Sequence, residues 1–153
     1  MKMRDLMTAK PFCCLPQTKL GAVAELMRDC DCGAIPVIDA DHAPVGMITD
    51  RDIVTRVLAR GLDARELAAH ECMTAPAITI SDDSELDECL GLLERSRVRR
   101  VIVVDAKGHC AGIVAQADVA EHASKRETGE LLREVSNPSR SDDRPGANAA
   151  TSR

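Results

Sequence analysis

The stretch GMITDRDI at residues 46–53 decides the fold, because it occurs twice in similar form. Shifted by 66 residues, it falls on GIVAQADV at residues 112–119. In the first copy an apolar run ends at Thr49, and an apolar helical pattern resumes after Asp52. Polar residues at such a strand-to-helix corner either cap the helix or hold a ligand, and the spacing alone leaves both hypotheses open.

The rest of the chain keeps the same offset. The segment DLMT at residues 5–8 falls on ECMT at 71–74, and AIPVID at 34–39 falls on RVIVVD at 100–105. Apolar residues at helical spacing begin at Leu20 and at Leu86, and a hairpin with a polar turn follows in each copy. The chain therefore reads as two β-α-β-β-α units of mixed α/β (α+β) class, each too small to be stable without the other.

The repeat also sets the expected boundaries. We predict a first unit at residues 3–60, a linker at 61–70 and a second unit at 71–122. A mostly exposed C-terminal helix should follow at 123–136, and a disordered tail at 137–153. The tail lacks Leu, Ile, Val, Phe and Met, so burial cannot offset the entropy lost on ordering. Thr18 and Ser84 stand where N-caps of the first helix of each unit are expected.

Composition excludes several classes of partner. The 153 residues carry a net charge of −5 and include a single aromatic side chain, Phe12. A nucleic-acid partner is not expected, since both a basic surface and base-stacking side chains are missing. A membrane partner is not expected either, because no run of eighteen apolar residues occurs. The start of the chain has no signal-peptide pattern, which favours a cytoplasmic location.

The doubled pattern resembles the CBS domain, named after cystathionine β-synthase, in the tandem arrangement called a Bateman module. The resemblance covers about residues 3–122 and rests on MT…P at each start, on GAIPVID and on GMITDRDI. It implies two pseudosymmetric units whose sheets face each other. It also implies clefts for adenosine-containing ligands such as AMP, ADP, ATP or S-adenosylmethionine, with no required cofactor, and a homodimer formed through helices.

The resemblance implies a ligand-binding role for the stretch at residues 46–53. Thr49 would offer its hydroxyl to a phosphate, beside the free N–H groups of the following helix. Asp52 would accept both hydroxyls of a ribose in charge-assisted hydrogen bonds. In the second copy Asp118 retains the carboxylate, but Ala115 replaces the threonine. The two clefts are therefore expected to be unequal.

Arg99 and Arg100 precede a central strand, at the place where some members of the family carry phosphate-binding basic residues. The planar guanidinium fork of arginine matches phosphate oxygens. The alternative is a pair of solvated surface arginines.

Four further residues enter the site through the resemblance. Thr79 occupies the lead-in strand position that often faces the purine and ribose in relatives, and its counterpart is Cys13. The backbone at Ala34 and Ile35 would meet the adenine edge, with Ile35 and Ile48 as the apolar wall.

The seven cysteines are predicted to be free thiols, because their number is odd and the chain carries no export signal. The pair Cys30 and Cys32 suggests a metal or redox site, but no Cys-X-X-Cys motif or histidine at zinc-finger spacing accompanies it, and no metal site is expected. The repeat places four cysteines at apolar positions: Cys14, Cys32, Cys72 and Cys89. A thiol switch involving Cys13, Cys14, Cys30 and Cys32 stays open.

No catalytic motif is present, and Asp50 and Asp52 point in different directions from one helix start, so no enzymatic activity is expected. The leading hypothesis is a stand-alone regulatory module that binds an adenine nucleotide and signals to an unknown protein partner through a conformational change. The alternatives are a structural or interaction protein with degenerate clefts, and a thiol-based redox sensor.

Overall fold

The computed structural model describes residues 1–123 together with residues 129, 132, 133, 135 and 136. Its helices and strands follow in this order: α1 Met3–Leu6, β1 Thr8–Ala9, α2 Leu20–Asp29, β2 Ala34–Ile38, β3 Pro44–Thr49, α3 Asp50–Arg56, α4 Ala69–Cys72, β4 Thr79–Ser81, α5 Leu86–Ser96, β5 Arg100–Val104, β6 Cys110–Ala115 and α6 Gln116–His122. We call the part built on β2, β3, α2 and α3 the first unit. The part built on β4, β5, β6, α5 and α6 is the second unit.

The two hairpins confirm the predicted repeat. Strands β2 and β3 pair antiparallel with Ala34 opposite Thr49, and β5 and β6 pair antiparallel with Arg100 opposite Ala115. Helix α3 begins directly after β3, and helix α6 begins directly after β6, as the sequence predicts. The predicted class, mixed α/β with two related units, is therefore confirmed.

The lead-in strands of the two units differ. In the second unit β4 runs parallel to β5, and the Ile102 N–H donates to the Ile78 carbonyl at 3.1 Å. In the first unit the equivalent strand is reduced to a single bridge between Cys14 and Val37. The counterpart of Ile102 is Pro36, which has no N–H to donate, so the matching hydrogen bond cannot form.

The opening segment of each unit packs on the other unit. Strand β1 extends the second sheet by pairing with β6, and Met3 is fully buried in the second core. Reciprocally, helix α4 packs in the first core, and Met47 and Thr74 exchange backbone hydrogen bonds of 3.0 and 2.9 Å. The units are therefore interlocked, and the domain bounds at 3–60 and 71–122 stay a prediction.

Each unit has its own apolar core. The first contains Cys14, Leu20, Val23, Met27, Ile35, Val37, Ile48, Val57, Ala69 and Cys72. The second contains Met3, Ile80, Cys89, Leu90, Leu93, Val101, Val103, Val114 and Val119. Aliphatic side chains and small thiols fill both cores, as the near absence of aromatic residues requires.

The predicted N-caps are wrong, because α2 and α5 begin later than expected. The Thr18 hydroxyl instead accepts the Leu15 N–H at 3.0 Å in the preceding turn, a local bond that competes with helix capping. The Ser84 N–H donates to the Ser81 carbonyl, and the Ser84 carbonyl accepts the Met3 N–H at the start of α1. Glu85 occupies the N-cap position of α5.

The prediction of seven free thiols is wrong for two of them. Cys30 and Cys32 form a disulfide across a tight turn between α2 and β2, with their Cα atoms 5.3 Å apart. The residue between them, Asp31, has a left-handed backbone with φ of 50°. Hydrophobic patterning identified Cys32 as an apolar position and gave no sign of this local geometry.

The linker is largely made of turns. A 3₁₀ turn at Leu58–Arg60 precedes it, and regular helix returns with α4 at Ala69. The predicted C-terminal helix at 123–136 lies mostly outside the described residues, and the predicted tail at 137–153 lies outside them entirely. Among the helices described, none has the length and apolar character needed to cross a bilayer.

Replacing Gly46 with alanine tests the interlocked packing. A Cβ there would lie 2.9 Å from the Thr74 carbonyl and 2.6 Å from the Met73 sulfur, so β3 and the segment after α4 would have to separate. We expect Gly46→Ala to lower the free energy of unfolding by about 1–3 kcal/mol, measured by chemical denaturation.

Gly21→Ala is the matched control. That position lies in α2 with open space around it, so the substitution should raise the free energy of unfolding by about 0.5–1 kcal/mol. Equal effects of the two substitutions would contradict the close approach at Gly46.

Candidate functional site

A cleft of about 600 Å³ lies between the two units. The first unit contributes the corner between β3 and α3, with Thr49 and Asp52. The second unit contributes the residues leading into β4 and the turn between α5 and β5, with Arg99 and Arg100. We call this the Asp52 cleft. The structure thus brings together four side chains that the sequence analysis singled out.

The β3–α3 corner is a capping box. The Thr49 hydroxyl accepts the Asp52 N–H at 3.1 Å, and the Asp52 carboxylate accepts the Thr49 N–H at 3.0 Å. Two N–H groups that the helix leaves unpaired are satisfied in this way. The capping hypothesis is therefore confirmed, and it leaves room for a ligand, because a hydroxyl that accepts one hydrogen bond still has its own proton to donate.

Asp52 is held in a partly buried position with capacity to accept more hydrogen bonds. Its side chain is 12% exposed, and Oδ2 takes the bond from Thr49. Oδ1 has two longer contacts, with the Thr74 hydroxyl at 3.5 Å and with the Arg56 Nε at 3.7 Å. A carboxylate offers about four acceptor positions, so Oδ1 can still receive ligand hydroxyl groups.

Four arginines line the Asp52 cleft. Arg51 comes from the first turn of α3, Arg97 and Arg99 come from the α5–β5 turn, and Arg100 is the first residue of β5. Because Asp50 and Asp52 are the acidic residues in the same lining, guanidinium groups outnumber carboxylates there. The arrangement suits an anion that presents several oxygens.

Sequence reasoning missed Arg51 and Arg97. Arg97 ends α5 in a left-handed conformation with φ of 52°, and its N–H bonds back to the carbonyls of Leu93 and Glu94. Asp31, its counterpart in the first unit, has nearly the same backbone angle. The three arginines in SRVRR at residues 96–100 are the sequence feature that could have indicated a role for Arg97.

The apolar part of the cleft includes Ala77 and Ile78, just before β4. Thr79 lies one residue further on, is exposed and pairs with Ile102 in the sheet, but it does not line the cleft. Because successive strand residues face opposite sides, a shift of one position reverses the direction of the side chain.

The side chains of Ile35 and Ile48, the predicted apolar wall, do not line this cleft. Both side chains are fully buried in the first core, where they pack with α2, and Ala34 is 5% exposed. The apolar lining of the cleft includes Ala77 and Ile78 instead. Helix α2 packs on strand β2, so the apolar side chains of β2 are buried in the first core.

Asp118 lies at the corresponding corner of the second unit and does not line the Asp52 cleft. Its Oδ2 accepts the Ala115 N–H at 2.6 Å, which repeats one half of the capping box. Ala115 has no hydroxyl, so the other half cannot form. The two corners are therefore unequal in structure, as the sequence predicts.

Comparison with known proteins agrees with this architecture. The family model for the CBS domain matches residues 3–59 and 65–125. Hypoxic response protein 1 of Mycobacterium tuberculosis is 34% identical over 135 residues, which cover 88% of this chain and 94% of that protein. The chain thus belongs to the CBS-domain family, with two CBS repeats, and the predicted resemblance is confirmed.

Two solved structures share the fold. The crystal structure of Hypoxic Response Protein I with two coordinated zinc ions has a TM-score of 0.73 and 37% identity, covering 81% of this chain and 100% of that chain. The crystal structure of CBSX2 in complex with AMP has a TM-score of 0.66 and 24% identity, covering 79% and 94%. Within the described residues of the present chain, no group of three or more His, Cys, Asp or Glu side chains is placed to hold a metal ion.

The unequal corners predict opposite effects on stability. Thr49→Ala removes the hydroxyl that accepts the Asp52 N–H and should lower the free energy of unfolding by about 1 kcal/mol. Ala115→Thr can complete the second capping box and should raise it by a similar amount. Chemical denaturation of both variants beside the wild type measures these changes. An unchanged free energy of unfolding in Thr49→Ala would contradict a stabilising role of the capping box at this corner.

Proposed function

We propose that the chain is a stand-alone regulatory CBS-pair module that binds an adenosine-containing nucleotide in the Asp52 cleft. The observation that carries the proposal is the meeting, in one cleft, of a partly buried carboxylate from one unit and an arginine cluster from the other. A carboxylate suits the ribose hydroxyls, and arginines suit phosphate groups. A nucleotide presents both.

Asp52 would receive the ribose. The Oδ1 atom has only long contacts at present, so ligand hydroxyls at 2.5–2.7 Å would provide stronger charge-assisted bonds. Its bond from the Thr49 N–H fixes the carboxylate in place before the ligand arrives, which lowers the ordering cost of binding.

The phosphates would lie toward Arg99 and Arg100, with the Thr49 hydroxyl as an additional donor. Two carboxylates in the same lining oppose a phosphate, but four guanidinium groups outnumber them. Close bidentate arginine–phosphate pairs are stronger than the repulsion from a carboxylate at longer range. Adenosine nucleotides with phosphate groups should therefore be preferred over adenosine.

The purine would pack on Ala77 and Ile78. The cleft volume of about 600 Å³ is within the range of small-molecule sites. CBSX2, which shares this fold, has been crystallised with AMP. That structure supports the choice of ligand class, and S-adenosylmethionine stays within the same class because it also carries a ribose diol and an adenine.

Signalling would depend on the fact that both units form the walls of the cleft. Its walls come from two units, so a ligand that bridges Asp52 and Arg100 favours the arrangement in which those residues are at the right distance. A ligand shifts a conformational equilibrium only through unequal affinity for the two states. A cytoplasmic protein partner would respond to the favoured arrangement, and the module itself would perform no catalysis.

The central test compares Asp52→Ala with Asp118→Ala. Loss of the ribose acceptor in Asp52→Ala should weaken AMP or ATP binding at the Asp52 cleft by about 2 kcal/mol, or roughly thirtyfold. Isothermal titration calorimetry measures the affinity and the stoichiometry.

Asp118→Ala is the matched control because Asp118 also accepts a capping N–H but lies outside the Asp52 cleft. It should leave the affinity of this cleft unchanged. An unaltered affinity in Asp52→Ala, with the fold intact by circular dichroism, would contradict the proposed ribose contact.

We also propose a homodimer, formed in part by the surface at α3 and the turn that follows. Val57 is buried in the first core, but Leu58 is 71% exposed, and Val54 and Leu62 are exposed as well. Light scattering at micromolar concentration should give about twice the 16.5 kDa chain mass, and Leu58→Glu should shift the protein toward the monomer. A 16.5 kDa particle for the wild type would contradict the dimer.

A further inference from the structure

Two free thiols meet between the units. The Sγ atoms of Cys13 and Cys110 lie 3.9 Å apart, although 97 positions separate them in the sequence. Cys13 belongs to the segment that leads into the first unit, and Cys110 is the first residue of β6 in the second unit. Both are half-buried.

The other free cysteines are in a different environment. Cys14, Cys72 and Cys89 are buried in the two apolar cores. Burial raises the pKa of both Cys14 and Cys89 to about 11, which suppresses the thiolate form that reacts. Cys13 and Cys110 are therefore the free thiols, among the five, that combine partial exposure with direct contact.

The contact makes the two sulfurs chemically unequal. The hydrogen-bonding contact between the two thiols lowers the pKa of Cys13, and the same contact together with burial raises the pKa of Cys110. Cys13 is thus the better nucleophile, and Cys110 remains a neutral thiol beside it.

The surrounding backbone holds the pair together. The Cys110 N–H donates to the His42 carbonyl at 2.9 Å, which joins the hairpin turns of the two units next to the sulfurs. The His42 and His109 rings also contact edge to face, with centroids 6.1 Å apart. A disulfide needs an S–S distance of about 2.05 Å, so the sulfurs have to approach by about 2 Å in total.

We propose that Cys13 and Cys110 form a reversible disulfide between the two units when hydrogen peroxide oxidises the protein. The Cys13 thiolate attacks one peroxide oxygen, the O–O bond breaks, and a sulfenic acid forms on Cys13 while the other oxygen leaves as water. The Cys110 sulfur then attacks the Cys13 sulfur, the S–O bond breaks, and a second water leaves. In total two thiols lose two electrons and two protons, and one hydrogen peroxide becomes two waters.

The bond would fix one unit to the other. It closes a loop that contains the first hairpin, the linker and strands β4 and β5, so it limits the freedom of the unfolded chain and the relative movement of the units. This inference is independent of nucleotide binding, because it concerns residues outside the Asp52 cleft.

The test treats the reduced full-length chain with one equivalent of hydrogen peroxide. Peptide mapping by mass spectrometry without reductant should find a Cys13–Cys110 linked peptide. The midpoint of thermal unfolding should rise by roughly 5–10 °C and return after treatment with dithiothreitol.

Single variants test the order of the two steps. In Cys110→Ser the sulfenic acid on Cys13 has no thiol to attack it, so dimedone should label Cys13 and the thermal shift should vanish. In Cys13→Ser dimedone should leave Cys110 unlabelled. The double variant Cys30→Ser, Cys32→Ser is the control, and it should still form the Cys13–Cys110 link.

Three results would overturn the proposal. The first is a linked peptide that joins Cys13 to Cys14, Cys30 or Cys32. The second is an oxidative thermal shift of equal size in wild type and in Cys110→Ser. The third is protection of both thiols by added zinc with no disulfide after peroxide, which would make the pair a metal site.

Discussion

The exchange of opening segments between the two units is the constraint on which the rest of the structure depends. Thr74 bonds to Met47 at the edge of the first hairpin, while β1 lies along the edge of the second. Each exchange covers a strand edge that would otherwise present unpaired N–H and carbonyl groups. It also brings Ala77 and Ile78 of the second unit against the Thr49 corner of the first, so the Asp52 cleft exists only because the units are interlocked.

Asp52 connects the stability of a helix to the proposed binding of a ligand. One carboxylate oxygen caps α3, and the other faces long contacts with Thr74 and Arg56. In the proposed function a ribose would replace weak contacts at Oδ1 without disturbing the cap at Oδ2. In that proposal, capping and ligand binding would not compete for this residue, because each would use a different carboxylate oxygen.

Much of this architecture could be predicted from the internal repeat. The offset of 66 residues aligned both hairpins and the starts of α3 and α6, because hydrophobic period and corner chemistry are local properties. What could not be predicted depends on local backbone geometry or on tertiary placement. The Thr18 hydroxyl joined a turn, and Cys30 paired with Cys32. Ile35 is buried in the first core. Arg97 lines the cleft from the left-handed end of α5, a conformation that hydrophobic periodicity does not indicate.

The pairing of Thr8 with Ile113 has a consequence for how the chain acquires its structure. The strand nearest the start of the chain cannot find its partner until β6 has left the ribosome. Until then Met3 and the residues around it have no core to enter. Folding is therefore dominated by contacts between distant parts of the sequence, which slows the search and leaves apolar side chains exposed during synthesis. A chain truncated before β6 would lack a partner for its own N-terminus as well as its last strand.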